Sequence, residues 1–188
     1  GFNRPEDYAE GPVSIMRYVI DFISAYVKPN DSILEVGCNA GSKMNQLLRA
    51  GYSKLAGLDV NPASLEVLPR YFPDLARVAE LHAGPAEEVL PKLSSDSRWL
   101  IYSVSTLCLV HPTQHSVFHE IARVSSGYIL TLEIEWAAGP YFFPRNYRRV
   151  FERLGFSQIA STLISRDLCP EPELPSYYGH VMRLMRKK

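Results

Sequence analysis

The chain has 188 residues, 46% of them hydrophobic and 21% charged, and its 20 basic and 20 acidic side chains leave no net charge. That length and apolar content fit one well-filled core rather than two, and zero net charge argues against a protein whose main task is to grip a polyanion. Cys38, Cys108 and Cys169 share no metal-like spacing, so reduced thiols and no metal centre are expected.

The opening residues Gly1 to Asp7 hold neither a basic nor an apolar segment, so no signal peptide is expected. No apolar run approaches the roughly 18 residues of a membrane helix. A cytoplasmic, single-domain chain spanning 1–188 follows, with 1–28 as a helical N-terminal cover and 29–188 as the core. Ile15, Met16, Val19, Ile20, Ile23, Tyr26 and Val27 recur at helical spacing and predict a helix over 12–28, ended by Pro29-Asn30-Asp31. Ser32 to Val36 is a short apolar run between turn formers, which suits a strand buried on both faces. A glycine-bearing turn leads to a helix over 43–50. The alternation repeats with a strand over 54–58, a helix over 62–71, a weaker strand near 78–83 and a short helix over 86–90. A strand over 99–104, a helix from about 113 to 124, a strand over 128–134 and a helix over 145–154 follow. The tail breaks the rhythm: strands over 157–164 and 180–185 are joined by a loop with Pro170, Pro172 and Pro175 and no helical pattern. Strands alternating with helices imply an α/β fold with a largely parallel sheet covered on both faces. Its ligand belongs beyond the C-terminal strand ends, where the strand order switches.

The stretch Glu35-Val36-Gly37-Cys38-Asn39-Ala40-Gly41 lies where the first of these strands passes into a helix. Glycines there let backbone approach a ligand, and the helix start presents unpaired N–H groups. The spacing is G-x-N-x-G rather than G-x-G-x-x-G. Glu35 would repel a pyrophosphate but suits an ammonium group. Asp59 stands 18 residues beyond Gly41, at the end of the next strand, where a carboxylate can accept bonds from ribose hydroxyls. These features fit a ligand with a cationic amino-acid end and a ribose.

On ILEVGCNAG, GLDVNPAS and NYRRVFERLGF the chain resembles the class I S-adenosylmethionine-dependent methyltransferase family, over nearly its whole length. The resemblance implies a three-layer, doubly wound, Rossmann-like sheet of seven strands with the last one antiparallel. It implies S-adenosylmethionine as cofactor and S-adenosylhomocysteine as product. Glu35, Gly37, Asn39 and Gly41 would hold the amino-acid end and Asp59 the ribose, with Cys38, Val60, Pro85, Ala86, Ser103 and Tyr8 completing the cofactor site. Two positions depart from the family pattern. Asn39 replaces a glycine, although asparagine tolerates left-handed backbone. Pro85 stands where an aspartate often bonds the adenine amino group, leaving the Ala86 N–H to meet the ring.

Methyl transfer from a sulfonium is a direct displacement, so alignment in a dry pocket can supply most of the catalysis. A base helps only where the acceptor must lose a proton early. His111, at the rim after the fourth strand, has the right intrinsic acidity, and tying down its loop is the competing role. Glu133 is the second candidate: Glu133 and Glu135 share one side of the fifth strand by its period of two, either as a polar acceptor site or as a solvated pair. His115 and His119 fall opposite the stripe Val117, Phe118, Ile121 and Val124, which favours a solvated face over a metal site. Two roles compete for Arg4 and Tyr8, closing over the cofactor or belonging to a loose terminus, and two for the aromatic stretch 141–147 with Tyr177 and Tyr178, lining the acceptor side or filling core. No Asn/Asp-Pro-Pro-aromatic segment follows the fourth strand, no cysteine has the setting of the cytosine-C5 enzymes, and no acidic cluster suggests a magnesium-dependent catechol-type site.

The expected activity is methylation at O or N of a small-molecule or sugar-like acceptor. RNA or protein methylation, supported by Arg145, Arg148, Arg149 and Arg153, and a non-catalytic cofactor-binding or scaffolding subunit remain alternatives. A nicotinamide-dependent oxidoreductase shares the strand–turn–helix logic but not the loop spacing or Glu35.

Overall fold

A computed structural model of the chain describes residues 4–10, 14–136, 139–168 and 175–188. Residues 12 and 13 of the expected first helix, Cys169, Pro170 and Pro172 lie outside the described residues.

Seven strands form one sheet: β1 (Ser32–Val36), β2 (Lys54–Asp59), β3 (Glu80–Ala83), β4 (Arg98–Val104), β5 (Ser125–Ile134), β6 (Phe156–Leu163) and β7 (His180–Lys187). Their order is β3-β2-β1-β4-β5-β7-β6. Only β7 runs antiparallel, pairing with β5 from Tyr128↔Arg186 to Ile134↔His180 and with β6 on its other side. β6 and β7 are consecutive in the chain and pair directly, so the chain returns along the sheet in the opposite sense instead of crossing it.

The helices are α1 (Pro5–Ala9), α2 (Ile15–Ile23), α3 (Ser42–Arg49), α4 (Pro62–Tyr71), α5 (Pro73–Val78), α6 (Ala86–Val89), α7 (Ser116–Val124) and α8 (Tyr147–Glu152). One core layer joins Ile15, Val19 and Ile23 of α2 and Met44 and Leu47 of α3 to Ile33, Leu100 and Leu130 of the sheet. The other joins Val117, Phe118 and Ile121 of α7 and Phe151 of α8 to Leu34, Ile101 and Ile129. Adjacent strand residues thus face opposite layers, so central strands read as unbroken apolar runs.

The first long helix is shorter than the expected 12–28. It stops at Ile23 because the Tyr26 carbonyl accepts the Trp99 indole N–H at 3.1 Å and the Tyr26 ring packs against Tyr128. Two short helices, α1 and α5, escape the periodicity reading because five or six residues hold barely more than one turn. Each starts on a proline with acidic residues in its first turn, the favoured helix entry. Val78, taken for strand, closes α5. No helix among the described residues is long and apolar enough to cross a membrane.

Candidate functional site

The order reverses between β1 and β4, and the loops leaving these strands meet there. Gly37, Asn39 and Gly41 all adopt left-handed backbone, at φ 81°, 48° and 82°. The Gly37 and Cys38 N–H groups both donate to the Leu58 carbonyl, at 2.9 and 3.0 Å, which seats the loop on the end of β2. The Asn39 side-chain oxygen accepts from the next N–H, that of Ala40, at 2.8 Å. Gly37 is required on two counts: a Cβ there would lie 2.2 Å from Thr106 Oγ1 on the loop after β4, and its φ is one L side chains rarely adopt.

Asp59 ties the two halves of this rim together. One carboxylate oxygen accepts the Asn39 N–H at 2.7 Å and the other accepts the Asn61 N–H at 2.9 Å. Each oxygen keeps a further lone pair, and Asp59 lines a cavity of about 560 Å³. Gly37, Asn39 and Val60 line the same side of that space, with Pro85, Ala86 and Glu87 at the start of α6 and Tyr8 from α1. A second cavity of about 460 Å³ lies towards Cys108, Ile134, Phe142 and His180. The two share walls made by Tyr8, Lys43, Ser105, Leu109 and Tyr177.

Seven expected residues therefore line the first cavity: Tyr8, Gly37, Asn39, Asp59, Val60, Pro85 and Ala86. The other six sit elsewhere. Gly41 starts α3 and approaches Leu68 and Leu75 too closely for any side chain. Cys38 turns its thiol into the core, 1% exposed, where burial first and Glu35 second raise its pKa. Glu35 is fully buried, accepts the Tyr102 hydroxyl at 2.7 Å, and faces Lys43 Nζ at 3.9 Å. Burial pushes its carboxyl up to about 7 despite Lys43 and Tyr102, which act in the opposite sense. Its Oε1 accepts no hydrogen bond among the described residues. Glu35 thus reaches the cavities only through Lys43.

Ser103 and Glu133 face the opposite layer. The Ser103 hydroxyl donates to Glu133 Oε1 at 2.8 Å, which also accepts the Thr106 and Leu107 N–H groups at 3.1 Å each, while Oε2 accepts the Cys108 N–H at 3.2 Å. Burial raises the Glu133 pKa, and these donors oppose that rise. The carboxylate is the mould for the loop after β4 and lines neither cavity. Glu135, expected beside it as a possible acceptor site, forms a two-point ion pair with Arg183 of β7 at 2.7 Å. His111 accepts the Thr113 N–H at 3.3 Å and packs edge-on to Phe143, capping its own turn at the surface. His115, just before α7, and His119 on it are both exposed. Of the aromatic stretch, Phe142 lines the second cavity, whereas Tyr147 is buried in the α7–α8 layer.

Sequence reasoning missed Lys43, Glu87, Ser105, Thr106 and His180. Lys43 carried a signal: it is the one charged side chain in the first turn of α3, directly after the glycine loop. His180 carried none, since its place depends on the antiparallel register that sets it opposite Ile134.

A family profile described as a methyltransferase domain matches residues 33–126. No curated protein matches the chain. Among solved structures, magnesium protoporphyrin IX methyltransferase from Synechocystis PCC 6803 with bound S-adenosylhomocysteine is similar at 11% identity and a TM-score of 0.73, over 93% of this chain and 82% of that one. Geranyl diphosphate methyltransferase in complex with S-adenosylmethionine is similar at 13% identity and 0.72, over 94% and 85%. The cyclase SpnF is similar at 13% identity and 0.70, over 90% and 80%. At such identities the likeness is one of fold.

Proposed function

Because this chain belongs to the class I S-adenosylmethionine-dependent methyltransferase family, we propose that it methylates oxygen or nitrogen of a small-molecule acceptor held in the cavity beside Phe142 and His180. The carrying observation is the pair of cavities, about 560 and 460 Å³, that share the wall of Tyr8, Lys43 and Ser105. Both volumes fall in the range of small-ligand sites, and their common wall brings two ligands within reach of each other.

The residues fit the cofactor. Gly37 and Asn39 line the first cavity where β1 ends, and Asp59 keeps lone pairs for the ribose hydroxyls. Lys43, partly exposed between the cavities and backed by Glu35, would hold the carboxylate of the amino-acid end. Val60, 68% exposed, offers an apolar face to the adenine. Glu87, tied to Gln114 on the cavity wall, would supply the acceptor for the adenine amino group that Pro85 lacks.

When bound, the cofactor supplies a methyl group made electrophilic by its sulfonium. The chain's own part is alignment and exclusion of water. Tyr8 on α1, Leu109 and Tyr177 contribute rings and an apolar side chain to the wall that both cavities share. The nucleic-acid alternative rests on arginines that are partly engaged: Arg145 donates to the Val110 carbonyl at 2.6 Å and the Phe143 carbonyl at 2.8 Å, and Arg148 pairs with Glu152.

Melting temperatures with S-adenosylmethionine, S-adenosylhomocysteine and NAD in separate wells test the cofactor. A ligand at about 100 times its Kd adds about 2.7 kcal/mol, a rise of about 5–10 °C for this size. A rise with both sulfur ligands and none with NAD is expected. In Asp59→Ala, affinity for S-adenosylmethionine should fall by about 1–3 kcal/mol, and an unchanged Kd would remove the ribose assignment. Transfer of labelled methyl to small hydroxyl or amine compounds, indifferent to salt, is expected; steep salt dependence of acceptor binding would favour an RNA acceptor.

A further inference from the structure

We propose that Ser105 and His180 form a proton relay for the acceptor, so that the second cavity takes small compounds bearing a hydroxyl group and the product is a methyl ether. The inference rests on the methyltransferase reading and adds to it the atom that is methylated.

His180 opens β7 opposite Ile134, the last residue of β5. Its Nδ1 lies 3.0 Å from the Tyr177 carbonyl oxygen, and its Nε2 lies 2.9 Å from Ser105 Oγ. A carbonyl oxygen can only accept, so Nδ1 carries the ring hydrogen and Nε2 presents its lone pair to the serine hydroxyl. The opposite tautomer would leave two acceptors face to face at Tyr177. His180 lines the second cavity, while Ser105 lines both cavities. The serine therefore stands at the junction where an acceptor atom and a methyl group must meet.

The backbone at Ser105 supports a special role. It has a φ of 54°, a left-handed conformation unusual for serine, held by its N–H donating to the Leu132 carbonyl at 2.9 Å. Such conformations persist where the surroundings over-determine them and gather at functional sites. His180 is 3% exposed, and burial pulls its pKa below the ordinary value, keeping Nε2 unprotonated at neutral pH. The ionisable groups that share the cavity are Asp7, Tyr8, Lys43, Cys108 and Tyr177. Burial and then Glu133 push the Cys108 thiol up to about 12, so it does not compete for the proton. The Tyr177 ring stands edge-on to the imidazole at 5.5 Å. The neighbours on β5 and at the end of β6 are Ile134 and Ile164, both apolar.

The step balances as follows. The acceptor O–H gives its proton to Ser105 Oγ as the serine passes its own proton to Nε2. The freed oxygen pair forms the bond to the methyl carbon, and the carbon–sulfur bond breaks with its pair returning to sulfur. The sulfonium charge is lost, and the imidazolium that gains it releases a proton to solvent.

Imidazole ¹⁵N shifts in the ligand-free protein, assigned against His180→Gln, read the tautomer without any acceptor. The Nδ1–H form at pH 7 is expected, titrating below the ordinary 6.5. An Nε2–H form or an imidazolium at pH 7 would overturn the relay. Phenol and benzyl alcohol then serve as acceptor probes with labelled S-adenosylmethionine. Transfer to them should rise with pH through the His180 midpoint and fall by about 10²-fold in Ser105→Gly. Glycine adopts this backbone readily, so that variant should fold and keep the cofactor-induced rise in melting temperature. An equal rate in Ser105→Gly overturns the proposal, as does transfer to aniline but to neither alcohol, or no transfer to either alcohol by a protein that responds to the cofactor. Absence of any response to S-adenosylmethionine counts against the methyltransferase reading, while the imidazole spectrum still judges the pair.

Discussion

Replacing Glu35 by glutamine should make the ligand-free protein more stable at pH 8. Glu35 is fully buried, with its carboxyl pushed by burial from an ordinary 4.5 up to about 7. Between these two pH values the folded chain holds a proton that the unfolded chain has lost, so stability falls as pH rises. Full stability from this group is present below about 4.5 and is gone above about 7. The difference amounts to about 3 kcal/mol. Glu35→Gln keeps the neutral form at every pH, with an amide oxygen for the Tyr102 hydroxyl. Urea denaturation at pH 4.5 and pH 8 measures it, with the difference between wild type and variant cancelling the other titrating groups. The variant should match wild type within about 1 kcal/mol at pH 4.5 and exceed it by about 2–3 kcal/mol at pH 8. Identical pH slopes in the two proteins would refute the account.

Two further outcomes test the loops. Gly37→Ala combines a left-handed φ with a Cβ 2.2 Å from Thr106 Oγ1, and should cost about 2–5 kcal/mol by the sum of backbone strain and overpacking; an unchanged melting temperature would show that the two loops yield easily. Glu133→Gln sets an amide N–H against one of the N–H groups of 106–108 that the carboxylate accepts, and should lower stability by about 2–4 kcal/mol. Full stability with loss of activity would instead return Glu133 to a catalytic role.

The order of elements was legible in the chain because each central strand, buried on both faces, reads as an apolar run bounded by turn formers. The glycine loop was legible for a similar reason: Gly37, Asn39 and Gly41 answer to local backbone demands, and their left-handed φ values are met by residue types visible in the sequence. Asp59 was legible from its place at a strand end. Glu133 was misread because strand period fixes which face a side chain takes but not what covers that face. Here the loop after β4 folds over the carboxylate and turns a rim candidate into a buried anchor. His111 and Glu35 show the same limit, one exposed and capping its turn, the other enclosed behind Lys43. Ser105 and His180 lie 75 positions apart and meet only because β7 returns antiparallel beside β5. The sequence by itself determined the fold, the left-handed glycine loop and the carboxylate at the end of β2, each set by local conformation and periodicity. Which side chains converge on the second cavity was decided by the tertiary structure alone, because pairing register and loop closure are properties of distant segments meeting.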